Sequence, residues 1–209
     1  RERELKLGDN LSSFMRELGM APTGGRWGTI TRLRQQTRRL FTTTVSCWYE
    51  GEAFAAESGF RLVDRHVLWW DPKHPDQTNL FNSYVVLSEQ FFKELVEHPV
   101  PVDMRALKAL KKSPLALDIY CWLTYRMSYL KKRTEIPWMA LQTQFGADYA
   151  TVGQGPRNFK QAFLHALRKV SVVYPEAKVR EGGYGLQLAP SRPHVSRVAF
   201  RPGNPIRNS

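Results

Sequence analysis

Three prolines in the second half of this 209-residue chain stand where an apolar repeat of helical spacing begins: Pro114, Pro137 and Pro156. Proline is favoured in the first turn of a helix because its φ is already helical and its missing N–H needs no partner there. Asp103 offers a side-chain cap for one more, shorter helix. The pattern therefore predicts four helices in this half, over residues 104–112, 114–130, 137–145 and 156–170.

A basic hairpin is predicted after the last of these helices. Residues 178–188 alternate apolar and polar side chains around Gly182 and Gly183, which is the pattern of two strands joined by a tight turn. Two helices separated by a turn and followed by such a hairpin, the wing, describe a winged helix. The residues from Ala189 onward are rich in proline and arginine, so we expect them to be extended.

The first half repeats this order of elements. Asn10 or Ser12 can cap a first helix, and a turn leads into a second helix over 27–41. Residues 11–19 align with 138–146 at an offset of 127, as expected for a degenerate internal repeat. The other predicted elements are three β-rich runs and a helix, over 42–49, 60–70, 80–87 and 88–97. We therefore predict an α+β protein with two tandem winged-helix domains, residues 1–98 and 99–209.

The net charge is confined to the second half of the chain. Residues 1–98 carry 13 Lys/Arg and 13 Asp/Glu, whereas residues 99–209 carry 18 Lys/Arg and 6 Asp/Glu, which accounts for the whole net charge of +12. A polyanion is the expected partner of such a half, because neutralising its phosphates releases condensed counterions. The sequence therefore indicates a DNA-binding protein.

Helix 156–170 is the sharpest candidate for reading DNA, because it lacks acidic residues and carries side chains that can pair with base edges. Arg can contact guanine in a bidentate way, Asn or Gln can contact adenine, and Leu can contact a thymine methyl. The predicted base contacts are Arg157, Asn158, Gln161, Leu164 and Arg168. The predicted phosphate contacts are Lys160, Lys169, Lys178 and Arg180. The alternative is an ordinary amphipathic helix with a solvated basic face.

Tyr184, at the tip of the hairpin, has two interpretations of equal weight. It can enter the minor groove or follow the DNA backbone, as wings do. It can instead cover the hairpin as a hydrophobic cap. The aromatic cluster of Trp122, Tyr125 and Tyr129 is predicted to belong to the core rather than to form a platform for base stacking.

Helix 27–41 is the second candidate, because a domain without net charge has concentrated arginine on it. The predicted DNA contacts there are Arg26, Arg32, Arg34, Gln35, Arg38 and Arg39. Two alternatives remain open: this is an ordinary surface helix, or some of the arginines pair with Glu50, Glu52 or Glu57.

Catalytic interpretations have little support in the sequence. The five histidines are scattered singly, no His-apolar-His metal motif is present, and no GxxxxGK[ST] loop for nucleotides is found. We therefore expect a protein that is not an enzyme and has neither metal nor cofactor. Cys47 and Cys121 are isolated and indicate a reducing compartment. Without a leader or a long apolar span, the chain is expected to be soluble and cytoplasmic.

Four strings suggest a family. The run 113–126 (SPLALDIYCWLTYR), together with 145–149 (FGADY), 158–163 (NFKQAF) and 174–175 (YP), resembles plasmid-encoded RepA-type replication initiators. The resemblance covers most of 99–193 and, more loosely, the first half.

The resemblance implies two winged-helix domains that bind repeated sequences, the iterons, in the duplex DNA of a plasmid origin. It implies that the recognition helix of the second domain is 156–170 and that the basic helix of the first is 27–41. Members of the family bind iterons as monomers, often form homodimers through the first domain, and bring in the host replicative helicase and its loader. We therefore predict a plasmid replication initiator. The alternatives are a winged-helix transcriptional repressor and a scaffold whose basic face meets an acidic protein.

Overall fold

In the computed structural model, residues 2–8, 10–50, 55–68, 73–77 and 83–195 are described, without the side chains of 47–57. They divide into two compact units with the boundary between Pro99 and Val100. Helices and small antiparallel sheets occur in both units, so the fold is of the α+β class. Among the helices in these residues, none is long and apolar enough to cross a membrane.

The first unit contains three helices and five strands in its described part. Its elements are β1 (Glu4–Lys6), α1 (Leu11–Glu17), α2 (Thr29–Phe41), β2 (Thr44–Glu50), β3 (Ala55–Arg61), β4 (Val63–Val67), β5 (Tyr84–Leu87) and α3 (Glu89–Glu97). Strand β5 is central in a three-stranded antiparallel sheet of order β1-β5-β4, and β2 and β3 form a separate hairpin. The predicted β-rich run 42–49 corresponds to β2, whereas residues 69–70 and 80–82 of the other two runs lie outside the described residues.

Local sequence signals explain where the helices of the first unit begin. The Asn10 side chain accepts a hydrogen bond from the Ser13 amide at 2.8 Å, which is the predicted N-cap of α1. The Ser88 hydroxyl caps α3 in the same way, from the Phe91 amide at 3.2 Å. Each cap satisfies an amide that has no partner within its helix.

The core of the first unit consists of two small clusters. One joins α1 to α2 and the other joins β4 to β5, and their buried residues are Leu11, Met15, Ile30, Leu33, Val63, Val85 and Leu87. Leu40, for which the helical spacing predicts an inward position, is 53% exposed, so that prediction is wrong. It borders an open apolar groove together with Leu5 and Leu18, so the described residues of this unit leave the helix face that carries it uncovered.

In its described part, up to residue 195, the second unit contains four helices and a three-stranded antiparallel sheet. Its elements are α4 (Met104–Leu110), α5 (Pro114–Met127), β6 (Thr134–Pro137), α6 (Trp138–Phe145), α7 (Gly155–Val173), β7 (Val179–Glu181) and β8 (Gly185–Leu188). The sheet has the order β6-β8-β7, and β7 and β8 are the predicted hairpin. The four predicted helices are present, although α4 ends two residues early, α5 ends three residues early and α7 runs from Gly155 to Val173. Pro137, predicted to lie in the first turn of α6, is instead the last residue of β6 and the N-cap of α6.

A single aromatic-rich core holds the second unit together. Tyr120 on α5, Phe159 and Phe163 on α7, and Tyr174 just after α7 have no exposed surface. The Phe163 ring meets the Trp138 ring at 5.8 Å and the Phe159 ring at 5.6 Å, in tilted or edge-on arrangements that aromatic pairs favour. This core fixes α7 against α5 and α6.

The segment after β8 folds back onto this core. The Tyr174 hydroxyl donates to the Arg192 carbonyl at 2.7 Å, and the His194 ring stacks on the Tyr174 ring at 4.8 Å. The Tyr120 hydroxyl lies 2.7 Å from His194 Nδ1 and accepts from the Asp103 amide at 2.9 Å. Residues 189–195 of the segment predicted to be extended, called the strap below, are therefore held against the core by contacts with Tyr120 and Tyr174.

Two of the three aromatic side chains predicted as core are on the surface. Tyr125 is 42% exposed and Tyr129 is 44% exposed, whereas Trp122 packs against the core. Tyr125 lies on the side of α5 opposite the buried Leu123, and Tyr129 follows the end of the helix. The helical stripe therefore does not extend to them, and the prediction is wrong for both.

The two units share one order of elements. The first runs β1-α1-α2-β4-β5 and the second runs β6-α6-α7-β7-β8, and the two sheets have corresponding strand orders. The hairpin of β2 and β3 is an insertion between α2 and β4. Gly28 and Gly155, separated by the predicted offset of 127, occupy equivalent places at the starts of α2 and α7.

Candidate nucleic-acid interface

The turn before α7 sets the direction of this helix. A Cβ at Gly155 would overlap the Ala150 carbonyl oxygen, so the chain can pass here only with glycine. The Gln142 side-chain amide donates to the same carbonyl at 2.9 Å and fixes the turn to α6. Helices α6 and α7 are therefore held as a helix–turn–helix pair.

The turn before α2 is fixed by a reciprocal pair of threonines. The Thr23 hydroxyl accepts from the Thr29 amide at 3.0 Å, and the Thr29 hydroxyl accepts from the Thr23 amide at 2.9 Å. A Cβ at Gly28 would overlap the Thr23 carbonyl oxygen. The first unit thus positions α2 after α1 by a turn that also depends on glycine at the helix start.

Helix α7 has one buried and one exposed face. The buried face consists of Phe159, Phe163, Ala166, Leu167 and Val170. Arg157, Gln161 and Arg168 lie on the opposite side and are exposed. Neither arginine forms an ion pair with any described residue. Their guanidinium groups therefore face solvent with their donors available.

Other residues predicted to contact DNA are engaged within the unit. Lys160 forms an ion pair with Glu181 at 2.6 Å and lies 5.0 Å from the Trp138 ring, which ties α7 to the hairpin. Leu164 is partly buried and packs against the core, so its side chain is not freely presented on the exposed face.

The remaining predicted contacts on α7 stay close to the exposed face. Asn158 accepts from the Gln154 side chain at 3.4 Å, and the Lys169 ammonium is 3.5 Å from the Ser113 hydroxyl. Both residues are exposed, and neither bond is short. These side chains can therefore turn toward a ligand at small cost.

The hairpin carries a basic groove on its outer face. An open groove of about 550 Å³ is lined by residues of β6, β7 and β8, including Arg133, Lys178, Arg180 and Gln187. Tyr184 at the tip is 86% exposed, which contradicts the interpretation of this residue as a hydrophobic cap. The hairpin thus offers an exposed aromatic side chain with a hydroxyl at its tip and several cations along its strands.

Glu135 on β6 organises this tip, although no sequence pattern predicted a role for it. One carboxylate oxygen, Oε1, accepts from the amides of Tyr184 and Gly185, both at 3.0 Å, and Oε2 accepts from Gln187 Nε2 at 3.0 Å. The bond from Gln187 is the main reason why the pKa of Glu135 is lowered, followed by the bond from the Tyr184 amide. The spacing of 49 residues between the partners explains why no local pattern reveals the contact.

Helix α2 presents a second basic face. Arg32, Gln35 and Arg39 share one side of the helix, Arg34 and Arg38 flank it, and all five are exposed. No acidic residue lies on α2. The side chains of Glu50, Glu52 and Glu57, which were the alternative partners, lie outside the described part.

Arg26 precedes α2 instead of lying on it, because the helix begins at Thr29. Its guanidinium lies 5.3 Å from the ring of Trp27, which is 81% exposed. The residue therefore belongs to the turn before the helix.

The exposed faces of α2 and of α7 with its hairpin are both basic, and such surfaces suit a polyanion. Within the described residues, no group of three or more His, Cys, Asp or Glu side chains could hold a metal. A family model of plasmid-encoded RepA proteins matches residues 2–139. The chain belongs to this family and is thus a plasmid replication protein. It matches none of the curated proteins and none of the solved structures with which it was compared.

The match supports the predicted family over a different part of the chain from the strings that suggested it. It covers residues 2–99 of the first unit, where the resemblance was looser, and ends at Met139 in α6. Helix α7 and the hairpin lie beyond it.

Proposed function

We propose that this protein is a replication initiator that binds repeated duplex sites at a plasmid origin through two tandem winged-helix domains, without catalysis of its own. The observation that carries the proposal is the exposed face of α7, where Arg157, Gln161 and Arg168 face solvent and neither arginine has an ion-pair partner among the described residues. An α-helix fits the major groove, and these side chains match guanine and adenine edges.

The hairpin supports a winged-helix interpretation of the second unit. Lys178 and Arg180 are exposed on it and Tyr184 projects from its tip, in the arrangement of a wing that follows the phosphate backbone. The ion pair of Lys160 with Glu181 couples this wing to α7, so both would dock together. Lys160 then contributes more to the geometry of the interface than to phosphate binding.

The corresponding order of elements supports a second reading helix in the first unit. Helix α2 has the place in the order of elements of the first unit that α7 has in the second, and its exposed side and flank bear four arginines and a glutamine. Two such helices on one chain would extend the site along the DNA and fix its register. Several copies on adjacent repeats would then strain the duplex at an origin.

The proposal is tested by footprinting the full chain on the origin of its own plasmid and by measuring the affinity of single variants for the protected repeat. We expect Arg157→Ala and Arg168→Ala each to weaken specific binding by about 1–3 kcal/mol and to relax the preference at one base pair. Lys108→Ala, which removes an exposed cation from α4, is the matched control and should leave base preference unchanged.

The same experiment separates the alternatives. Protection of direct repeats beside AT-rich DNA supports an initiator, whereas protection of a lone palindrome supports a repressor. A scaffold for an acidic protein should show no steep loss of DNA affinity with salt. If neither arginine variant changes base preference while binding persists, α7 is not the reading helix.

A further inference from the structure

We propose that Glu135 is a positioning residue whose carboxylate holds the wing tip in the conformation that presents Tyr184 to DNA. The inference rests on the proposed function of the wing as a DNA contact. Glu135 is negatively charged, whereas positive charge is expected at a surface that contacts DNA.

The hydrogen bonds of the carboxylate bridge the edge strand and the tip. Glu135 stands on β6 opposite Gln187 on β8, and its oxygens accept from two successive backbone amides at the tip, those of Tyr184 and Gly185. A charged acceptor makes stronger hydrogen bonds than a neutral one. The tip is therefore fixed at the residue that carries the exposed ring.

The backbone of the tip is shaped to admit this carboxylate. A Cβ at Gly182 would collide with Glu135 Oε1 and would also crowd the Gln187 side chain. By contrast, a Cβ at Gly183 would meet nothing within 4 Å. Of the two glycines that predict the turn, Gly182 is thus required by the contact with Glu135.

A relay extends from the same carboxylate to a cation of the groove. Gln187 donates through Nε2 to Glu135 and accepts through Oε1 from Arg180 Nε at 2.8 Å. This bond fixes the amide of Gln187 and, through it, the direction of the Arg180 guanidinium. One carboxylate therefore orients both an aromatic side chain and a cation.

The charge of Glu135 argues against a chance position. Residues 99–209 contain only six acidic residues, and this one lies in the groove with Arg133, Lys178 and Arg180. A carboxylate at a surface that binds phosphates repels them, so by charge alone its removal would tighten DNA binding. A positioning role predicts the opposite sign, and this difference makes the inference testable.

The experiment compares the affinity of the full-length wild type, Glu135→Ala and Asp118→Ala for a labelled duplex that carries the origin repeat. Asp118→Ala is the matched control, because it removes one exposed carboxylate of the same unit that lies on α5. We expect Glu135→Ala to bind about three- to tenfold more weakly, as for the loss of one or two ordinary hydrogen bonds, and the control not to weaken binding.

Three further measurements separate positioning from general destabilisation. Glu135→Gln keeps an acceptor for both tip amides but forces the Gln187 amide to reverse and release Arg180, so its affinity should be intermediate. In a double-mutant cycle, Tyr184→Ala should weaken the wild type but add little to Glu135→Ala. Amide hydrogen exchange of Tyr184 and Gly185 should accelerate in Glu135→Ala while the amides of α7 stay protected.

Tighter or unchanged DNA binding by Glu135→Ala, or unchanged exchange at the two tip amides, would overturn the inference. The wild type serves to distinguish this result from failure of the proposed function. If the wild type does not bind duplex DNA at all, both proposals fall. If it binds normally and Glu135→Ala binds as tightly, only the positioning role is refuted.

Discussion

Tyr174 gives the most quantitative test of how the strap and the core of the second unit are joined. Its ring is fully buried and stacks on His194, and its hydroxyl donates to the Arg192 carbonyl at 2.7 Å. Tyr174→Phe removes the hydroxyl and keeps the ring. At neutral pH we expect this change to lower the free energy of unfolding by about 1 kcal/mol, the net value of one such hydrogen bond.

The pH dependence of this difference follows from the ionisation of the phenol. Burial is the main cause that raises the pKa of Tyr174 to about 12 from an ordinary value of 10. The folded state then holds the proton more tightly than the unfolded state. The contribution of the Tyr174 phenol to the free energy of unfolding is therefore complete below about pH 10. It declines by about 1.4 kcal/mol per pH unit from about pH 10 to about pH 12. Tyr174→Phe has no phenol and does not show this decline, so the two proteins should become equally stable at about pH 11.

Urea unfolding of both full-length proteins, followed by circular dichroism from neutral to alkaline pH, measures this crossing. Tyr125→Phe is the control, because the Tyr125 hydroxyl is on the surface and its removal should not change stability at neutral pH. A difference between wild type and Tyr174→Phe that stays constant up to about pH 11 would show that the phenol is not held in an apolar site.

Three further changes test the core, the turn and the basic surface. Phe163→Ala should lower the free energy of unfolding by about 3–5 kcal/mol, as for a fully buried phenylalanine, and a loss below about 1 kcal/mol in urea unfolding would contradict the core. Gly155→Ala should lower the melting temperature more than Gly153→Ala. The new methyl group at position 155 would overlap a backbone carbonyl, whereas the one at position 153 would meet no atom and would be disfavoured only by the left-handed φ of 64°. Lys178→Ala should reduce the slope of log affinity against log salt by about 0.9, and Lys160→Ala should reduce it less because its ammonium is already paired; equal effects would be inconsistent with that pairing.

The helices and the hairpin of the second unit were predictable because their signals are local. Proline in the first turn, a cap at Asp103 and the Gly-Gly turn each act within a few residues. Strands β1 and β6 were not predicted, since each has three or four residues and its pairing partner is about fifty residues or more away. Such strands are defined by their partner and not by their own composition.

The candidate site was predictable in its residue types but not in their pairing. The exposed face of α7 follows from helical spacing, so Arg157, Gln161 and Arg168 lie where the sequence places them. Sequence spacing does not show that Lys160 forms an ion pair with Glu181 or that Leu164 packs against the core. Those contacts depend on the path of the hairpin after the helix.

The acidic residues of the second unit show why net charge alone describes such a surface incompletely. Asp103 caps α4, and its pKa is lowered to about 2, chiefly by the hydrogen bond from Arg105. Glu181 pairs with Lys160, and Glu135 accepts hydrogen bonds from the tip of the hairpin. Each of these carboxylates has a structural partner, while the exposed face of α7 has no acidic residue. The count of +12 predicts attraction to a polyanion, but the absence of acidic residues from α7, with Arg157 and Arg168 exposed there, is what gives the attraction a direction.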